Sequence, residues 1–322
     1  MTVNQSRHID DVQRAACRAL AEAATEADGI RPLSEQALLN LDSRAGEGPA
    51  EGGSTGGVRH LLAHEGDPSD PALLGYAQID EPAAAAELVV HPEHRRRGVG
   101  TALLRSAQAA AGPGRLRVWA HGFLPPARAF ADARGLRVVR ELWQMTLPVA
   151  GATPPQALLP AGFVAAPFTE ADLPEWIAVN ARAFASHPEQ GRIAADDVRD
   201  RMAQPWFDPR GFLLVRDLGA PPEGEGGADG RLAAYHWTKI DPADQPPTGE
   251  VYVVGIDPSY QGRGLARPVT DLGLAHLIGR GVHRVTLYVD GDNERAVATY
   301  QGAGFERTAL DVMLAEAADV GH

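Results

Sequence analysis

The sequence predicts an α/β protein made of two similar domains, each a mixed sheet with helices on its faces. A β-branched run at residues 251–256 is followed by a glycine-spaced loop and a helix, which is the order of elements in α/β folds. The same pattern occurs earlier in the chain, where Arg97 and Gly98 match Arg263 and Gly264 at a separation of 166 residues. A repeat of this length indicates two domains rather than a solenoid.

Composition limits the class of protein. A chain of 322 residues is long enough for two domains of ordinary size, and its 44% hydrophobic and 22% charged residues are typical of a globular protein. Acidic residues outnumber basic ones by 42 to 30, which disfavours nucleic acid as the main partner and favours an amine substrate. The single cysteine, Cys17, leaves no disulfide framework and no cysteine-based metal site, so no metal is predicted.

The N-terminal segment is polar, without the apolar stretch of a signal peptide, and no apolar run is long enough to cross a bilayer. We therefore expect a cytoplasmic protein that has no membrane partner. We also expect a monomer.

The first copy of the pattern is preceded by two predicted helices. Apolar residues at helical spacing predict a helix over residues 8–28, and Ser34 predicts the cap of a second one. Residues 45–57 contain too few apolar side chains to pack and predict a mobile loop. Strands are predicted near residues 58–64, 73–79, 86–91 and 116–119, and helices from the loop to about residue 111 and near residues 127–136.

The two copies are joined by a segment rich in proline, alanine and glycine. The predicted division is a first domain at 1–147, a linker at 148–161 and a second domain at 162–322. The second domain carries a low-complexity insertion at 219–230 and repeats the later strand and helix near residues 285–289 and 296–305.

The glycine-spaced loops have the properties of an anion site. Glycine lets the backbone approach a phosphate, and the unpaired N–H groups at a helix N-terminus point at the anion. Neither loop has the lysine and hydroxyl of a nucleotide hydrolase or the three glycines of a dinucleotide fold, so both classes are disfavoured. A nucleic-acid or targeting role for the three arginines at 95–97 is disfavoured by the acidic chain.

The spacing Gln/Arg-x-x-Gly-x-Gly/Ala after a strand resembles the acyl-CoA loop of the GNAT N-acetyltransferases. Both copies carry it, each followed by an Ala-x-x-x-Tyr/Ala…Gly-Phe/Leu helix, so the resemblance covers nearly the whole chain and implies two tandem GNAT-like domains. Residues 32–35, 180–191 and 287–293 carry a closer resemblance to the mycothiol synthase family. That resemblance implies acetyl transfer from acetyl-CoA to the cysteine amine of desacetylmycothiol.

The resemblance implies acetyl-CoA contacts in both copies. Strand ends would offer backbone groups to the pantetheine amides, the loops would hold the pyrophosphate, and the start of a later helix would border the pantetheine arm. In the first copy these residues are Leu88, Val89, Val90, Arg95, Arg96, Arg97, Gly98, Val99 and Gly100. In the second copy they are Val254, Gly255, Ile256, Gln261, Gly262, Arg263, Gly264, Leu265, Ala266, Arg267, Asn293, Glu294, Arg295, Ala296, Val297 and Ala298.

Amide formation needs a neutral amine and a protonated or stabilised thiolate leaving group. The resemblance makes Glu250 the base, either with a raised pKa or through a water, and Tyr300 the acid. The alternatives are an exposed strand-edge glutamate and a tyrosine that packs in the core. Asn293 has an equally plain alternative as a helix N-cap, and Cys17 is interpreted as a packed small hydrophobe.

Acceptor contacts are also implied by the resemblance alone. They are Glu35, Glu189, Lys239, Glu250 and Tyr288. From the residues themselves, Glu35 fits equally well in the first turn of the helix capped by Ser34, and Lys239 fits equally well as a solvated strand residue.

The two copies differ in the residues expected to carry the chemistry. Ala84 and Ala131 stand where the second copy has Glu250 and Tyr300, and Glu87, three residues after Ala84, is not expected to replace the missing carboxylate. We therefore expect the first domain to bind acetyl-CoA without catalysing transfer. Two other functions stay open: a GNAT enzyme acting on a protein N-terminus or an antibiotic, and an acyl-CoA-binding regulator without turnover.

Overall fold

The computed structural model describes residues 1–42, 57–66, 72–185, 190–223, 230–242 and 244–317. The chain forms two compact units. Unit 1 comprises Met1–Leu142 and Ala309–His322, and unit 2 comprises Trp143–Thr308. These units are defined by how compactly the chain packs. The domain boundaries at residues 147 and 162, which were inferred from the sequence, stay a prediction.

Unit 1 has the strand order β1-β2-β3-β4-β5. Its pairs are antiparallel except for β4 with β5, which is parallel, and the segment from Ala309 onward pairs with β5. Its elements are β1 (Thr2–Ser6), α1 (Asp11–Asp28), α2 (Glu35–Asp42), β2 (Val58–His64), β3 (Leu73–Asp80), β4 (Ala85–Val90), α3 (Val99–Ala111), β5 (Arg117–Ala120), α4 (Pro125–Ala133) and the first part of β6 (Leu136–Pro148).

The helix predicted over residues 8–28 begins at Asp11, three residues later than expected, because Asp10 caps it, whereas the second helix begins after the predicted cap at Ser34. Asp10 accepts the backbone N–H of Gln13 while the Gln13 side chain reaches back to the Asp10 N–H, and Gly29 ends α1 in the left-handed conformation. The Ser34 hydroxyl accepts the N–H of Ala37 at 3.2 Å, so the predicted cap of α2 is confirmed. The predicted mobile loop at 45–57 lies outside the described residues apart from Gly57.

Strand β1 is an addition to the predicted elements. Its five residues show no clear alternation of apolar and polar side chains, and they form a strand because Thr2–Ser6 pairs antiparallel with β2. An edge strand of this kind depends on its partner rather than on its own sequence pattern.

Unit 2 has the strand order β6-β11-β10-β9-β8-β7, in which β7 with β8, β8 with β9 and β9 with β10 are antiparallel and β10 with β11 is parallel. Its elements are the last part of β6, β7 (Phe163–Pro167), α5 (Leu173–Ala183), α6 (Ala195–Met202), β8 (Phe212–Asp217), β9 (Arg231–Ile240), β10 (Thr248–Ile256), α7 (Ala266–Gly279), β11 (Arg284–Asp290), α8 (Glu294–Gly302) and the start of β12 (Glu306–Glu316). Residues 224–229 of the predicted insertion lie outside the described part of the chain.

A β-bulge between Val251 and Val253 divides β10. In an antiparallel pair a bulge sets two residues of one strand against one of the other and changes the direction of the strand. Before the bulge Glu250 lies opposite Lys239, and after it Val253 lies opposite Trp237.

A buried ion network in unit 2 links β8 to the start of α5. The Arg216 guanidinium, whose side chain is 3% exposed, donates to Asp172 at 2.6 Å and to Glu175 at 2.7 Å. Such a network stabilises the fold only while all its members are present. Among the described residues, no helix has the length and apolarity needed to cross a membrane.

Candidate functional site

The sheet of unit 2 opens between its two parallel strands. The register of β10 with β11 ends at the pair Val251 and Leu287, whereas β10 continues to Ile256. Beyond that pair, the edge of β10 that faces β11 is available to a ligand. A strand edge presents N–H and C=O groups in a row, which suits a ligand with amide groups such as pantetheine.

A cavity of 1210 Å³ lies at this opening. It is lined by the residues that follow the bulge, by the glycine-spaced loop with the start of α7, by the start of α8, and by the end of α5. The lining residues are Ala183, Phe184, Val254, Gly255, Ile256, Tyr260, Gln261, Gly262, Gly264, Leu265, Ala266, Arg267, Thr270, Asp292, Asn293, Glu294, Arg295, Ala296, Thr299 and Tyr300. The structure thus brings most of the predicted cofactor residues of the second copy to one cavity.

The glycine-spaced loop is shaped for close approach of an anion. Gly262 and Gly264 have φ angles of +77° and +78°, and a Cβ on either would meet no atom within 4 Å. The left-handed backbone favours glycine at both positions, and the space above it is open. The cations of the loop have protein partners, since Arg263 stacks on the Tyr260 ring at 4.5 Å and Arg267 pairs with Asp271 at 2.8 Å. The backbone N–H groups are therefore the donors best placed for a pyrophosphate.

Three predicted cofactor residues lie outside the lining of the cavity. They are Arg263, Val297 and Ala298. Val297 is 8% exposed and packs in the core of unit 2, because the helical repeat turns its side chain inward.

Asn293 caps α8. Its side-chain oxygen accepts the N–H of Ala296 at 3.2 Å, which is the cap interpretation, and the same residue lines the cavity. The cap fixes the first turn of α8 beside the opening of the sheet.

Tyr300 is both a core residue and a residue of the candidate site. It packs in the core of unit 2 with its ring 5.9 Å from Phe305, and it lines the cavity although only 7% of it is exposed. Burial raises the pKa of Tyr300 above its usual value near 10. The phenol therefore keeps its proton at neutral pH.

Three of the implied acceptor residues lie on one face of the sheet. Lys239 is directly opposite Glu250, whose other neighbour is Thr286 on β11, and Tyr288 follows two residues later on the same strand. Alternation along a strand puts these side chains on a common face. Glu250 precedes the bulge and is not in the cavity lining. Glu35 begins α2 in unit 1, and Glu189 lies outside the described residues.

Several lining residues were not among the predicted site residues. Phe184 lies in a stretch singled out by resemblance, and Tyr260 belongs to the turn before the loop. Thr270 is one helical turn after Ala266, and its hydroxyl donates to the Ala266 carbonyl at 2.9 Å. The i, i+4 spacing from the loop was a signal that could have found it.

Unit 1 contains the same kind of opening. The register of β4 with β5 ends at Glu87 and Trp119, whereas β4 continues to Val90. In the loop that follows, Gly98 has φ of +86°, and Arg96 has φ of +63° at the position that matches a glycine of the second loop. The loop keeps its conformation even with a side chain in the left-handed region.

Arg95 is held by unit 1 itself. Its guanidinium donates to both carboxylate oxygens of Asp28, at 2.8 and 2.7 Å, and its Nε donates to the Val90 carbonyl at 3.3 Å. The bidentate pair ties the end of α1 to the loop. As in unit 2, the donors best placed for an anion are in the backbone rather than on this arginine.

The carboxylate nearest the opening of unit 1 is engaged in structural contacts. Glu87 accepts the N–H and the hydroxyl of Ser34, both at 2.6 Å, and lies 3.5 Å from His121, which contacts Asp311 at 3.0 Å. Burial alone would lower the pKa of His121, but the contacts with Asp311 and Glu87 raise it to about 10. A histidine with this pKa is a charged partner for two carboxylates and a poor general base at neutral pH.

Cys17 is fully buried among the apolar residues beneath α1, and burial raises the pKa of its thiol to about 12. A thiol in this state is a packing group, as the sequence predicts. Within the described ranges, histidine, cysteine and carboxylate side chains form no cluster of three or more that could hold a metal ion.

The two openings, each with a glycine-spaced loop after a strand, are the features of a GNAT N-acetyltransferase, an enzyme class that uses acetyl-CoA. The chain matches the acetyltransferase (GNAT) family over residues 179–305 and the acetyltransferase (GNAT) domain over residues 58–135. The tandem arrangement and the mixed sheet predicted from the sequence are confirmed.

Comparisons of fold and sequence agree with this class. A GCN5-related N-acetyltransferase from Sphaerobacter thermophilus aligns with a TM-score of 0.64 at 20% identity, covering 97% of this chain and 95% of that one. A tandem GNAT protein from the clavulanic acid biosynthesis pathway aligns with a TM-score of 0.66 at 17% identity, covering 98% of both chains. At these identities the likeness shows the fold alone.

Relatives at higher identity define the family. A protein named mycothiol acetyltransferase from Catenulispora acidiphila is 45% identical over 97% of this chain and 98% of its own length. Another with the same name, from Thermomonospora curvata, is 47% identical over 95% of this chain and 94% of its own length. The chain belongs to the mycothiol acetyltransferase family.

Proposed function

We propose that this protein transfers the acetyl group of acetyl-CoA to the cysteine amine of desacetylmycothiol, the last step of mycothiol biosynthesis. The observation that carries the proposal is the identity of 45–47% over nearly the full chain to relatives named mycothiol acetyltransferase. The acidic balance of the chain, 42 acidic against 30 basic residues, supports an amine acceptor.

We propose that the chemistry takes place in the second domain, at residues 162–322. Acetyl-CoA supplies an activated thioester there. The edge of β10 at Val254–Ile256 would hold the pantetheine arm, and the N–H groups at the start of α7 would hold the pyrophosphate. Glu250 would take the proton of the acceptor ammonium, directly or through one water, and Tyr300 would protonate the departing thiolate. The place of Tyr300 in the lining of the cavity supports its role as the acid.

The assignment of catalysis to the second domain is tested by a Glu250→Ala, Tyr300→Phe double variant of the full chain. We expect a loss of turnover of at least about 100-fold, since each proton transfer contributes about 10²-fold or more. Glu306→Gln, which alters an exposed glutamate on β12 of unit 2, is the matched control and should retain wild-type turnover. Near-wild-type turnover of the double variant would contradict the assignment of catalysis to the second domain.

The acceptor is tested by mass spectrometry. Acetyl-CoA is supplied with desacetylmycothiol, with a peptide that has a free N-terminus and with an aminoglycoside, and the acetylated products are compared. Preferential acetylation of desacetylmycothiol is expected. A product from the peptide or the antibiotic alone would favour a GNAT enzyme of another specificity, and no product from any amine would favour an acyl-CoA-binding regulator.

We further propose that each unit binds one acetyl-CoA, and that the first domain binds it without transfer. The support is the repeated opening of the sheet and the engagement of Glu87 by Ser34 and His121. Isothermal titration should give two acetyl-CoA molecules per chain. Gly98→Ala and Gly264→Ala strain matching left-handed backbones in the two loops, so each should weaken one site. A single site in the wild type would count against the proposal.

We also propose a monomer that works in the cytoplasm and binds no nucleic acid. Light scattering on the purified chain, with and without acetyl-CoA, tests the oligomeric state. A dimer under either condition would contradict this part of the proposal.

A further inference from the structure

Two aromatic rings lie against the ammonium group of Lys239. The Lys239 Nζ is 4.8 Å from the centre of the Trp206 ring and 5.3 Å from the centre of the Tyr252 ring. At these distances the negative faces of both rings attract the cation. We refer to Trp206 and Tyr252 as the ring pair.

The ring pair is itself held in place. The Trp206 and Tyr252 ring centres are 5.0 Å apart, and both rings also contact Trp237, at 6.0 and 5.2 Å. Trp206 is 8% exposed. The Tyr252 oxygen accepts a hydrogen bond from the Arg201 Nε at 2.9 Å, which ties the ring to α6. The orientation of the ring pair is therefore fixed from several sides.

Tyr252 lies two residues after Glu250 and therefore shares its face of the sheet, and the β-bulge brings Val253 to that face as well. Without the extra residue, strict alternation would turn Tyr252 and Val253 to opposite faces of the sheet. The bulge lies at Tyr252, and both residues pack in the aromatic cluster of unit 2 on the Trp237 side. Tyr252 thus lies next to Lys239, which is directly opposite Glu250 on the neighbouring strand.

An ammonium that rests on an aromatic face directs its remaining N–H donors away from the rings. The long lysine side chain loses much rotamer freedom on binding a ligand, unless it is already restrained. The ring pair supplies such a restraint on the face that carries Glu250, so hydrogen bonds from Lys239 to an acceptor cost less entropy.

We propose that Trp206, Tyr252 and Arg201 are positioning residues for acceptor binding, which hold the Lys239 ammonium ready for the hydroxyl groups of a polyhydroxylated acceptor. The inference rests on the proposed function. It adds residues that act through Lys239 and assigns them to acceptor affinity rather than to the acetyl-CoA site, which lies beyond the bulge.

The test is steady-state kinetics on the full chain with acetyl-CoA and desacetylmycothiol. Trp206→Leu removes one of the two rings and should raise KM for the acceptor about five- to tenfold, with kcat and KM for acetyl-CoA within about twofold of wild type. Trp206→Tyr restores a ring and should recover most of the affinity. Phe123→Leu is the matched control, because it removes a cation–π contact of the same 4.8 Å from Arg128 in unit 1.

A double-mutant cycle separates positioning from a general effect on folding. In a Lys239→Gln background, Trp206→Leu should have little further effect on acceptor KM, since the group that it positions is already absent. Equal effects with and without Lys239 would overturn the proposal, as would a parallel rise of KM for acetyl-CoA. A wild-type enzyme that does not acetylate desacetylmycothiol would overturn the proposed function together with this inference, whereas additivity in an active enzyme overturns the positioning role alone.

Discussion

The charged histidine between Glu87 and Asp311 makes the stability of unit 1 depend on pH in a defined direction. The pKa of His121 is about 10 in the folded protein, against about 6.5 for an unperturbed histidine. A raised pKa means that the folded state binds the proton more tightly than the unfolded state. The stabilisation is therefore complete below about pH 6.5 and is lost as the pH rises through 10.

The size of the effect follows from the shift. Each pKa unit corresponds to about 1.4 kcal/mol, so a shift from 6.5 to about 10 corresponds to about 5 kcal/mol in full, of which about 4 kcal/mol is lost between pH 6 and pH 10. The side chain of His121 is 15% exposed, so solvent screens its contacts only weakly. This is a large part of the stability of an ordinary domain.

The measurement is urea unfolding of the wild type and of His121→Gln at pH 6, 8 and 10, followed by circular dichroism. Subtracting the unfolding free energy of the variant from that of the wild type at each pH removes the contribution of all other titrating groups. We expect the difference in unfolding free energy to be largest at pH 6 and to shrink steadily towards pH 10. If the two units unfold in separate steps, the step that His121→Gln moves is used. A difference that stays constant over this range would refute a charged imidazolium at this position.

Three further predictions concern stability at fixed pH, each measured by urea or thermal unfolding. Gly255→Ala would put a Cβ 2.5 Å from the hydroxyl of the buried Tyr235, so we expect a loss of about 1–3 kcal/mol, and a cycle with Tyr235→Leu should show strong coupling; additive effects would contradict the clash. Arg216→Ala leaves two buried carboxylates without their cation and should cost about 3–5 kcal/mol, whereas a cost below about 1 kcal/mol would mean that the network contributes little. Arg96→Gly relieves a left-handed residue and should stabilise unit 1 by up to about 1 kcal/mol, so a destabilised variant would show that the arginine makes a contact of greater value.

Local features of the fold could be predicted from the sequence because neighbouring residues determine them. The cap of α2 by Ser34, the burial of Cys17 in α1, and the left-handed glycines of the two loops all depend on residues a few positions apart. In the cavity lining, only the glycine-spaced loop was indicated by its own residues, whereas the strand end and the start of α8 were implied by the resemblance to the GNAT family.

Contacts between residues far apart in sequence could not be predicted in this way. The His121–Asp311 contact spans 190 residues, and β1 exists only because β2 pairs with it. The position of Lys239 opposite Glu250 depends on the register of β9 with β10. A shift of one residue would have moved Lys239 to the other face, and a single sequence contains no signal that excludes the shift.

The membership of the last strand in unit 1 affects the order in which the protein can fold as it is synthesised. Asp311 belongs to the segment from Ala309 onward, so the ribosome makes all of unit 2 before it makes the carboxylate that partners His121. Until then the first unit lacks a strand beside β5. A chain cut at residue 147 would lack that strand permanently, so its instability in isolation would reflect a missing piece of its own sheet rather than a need for unit 2.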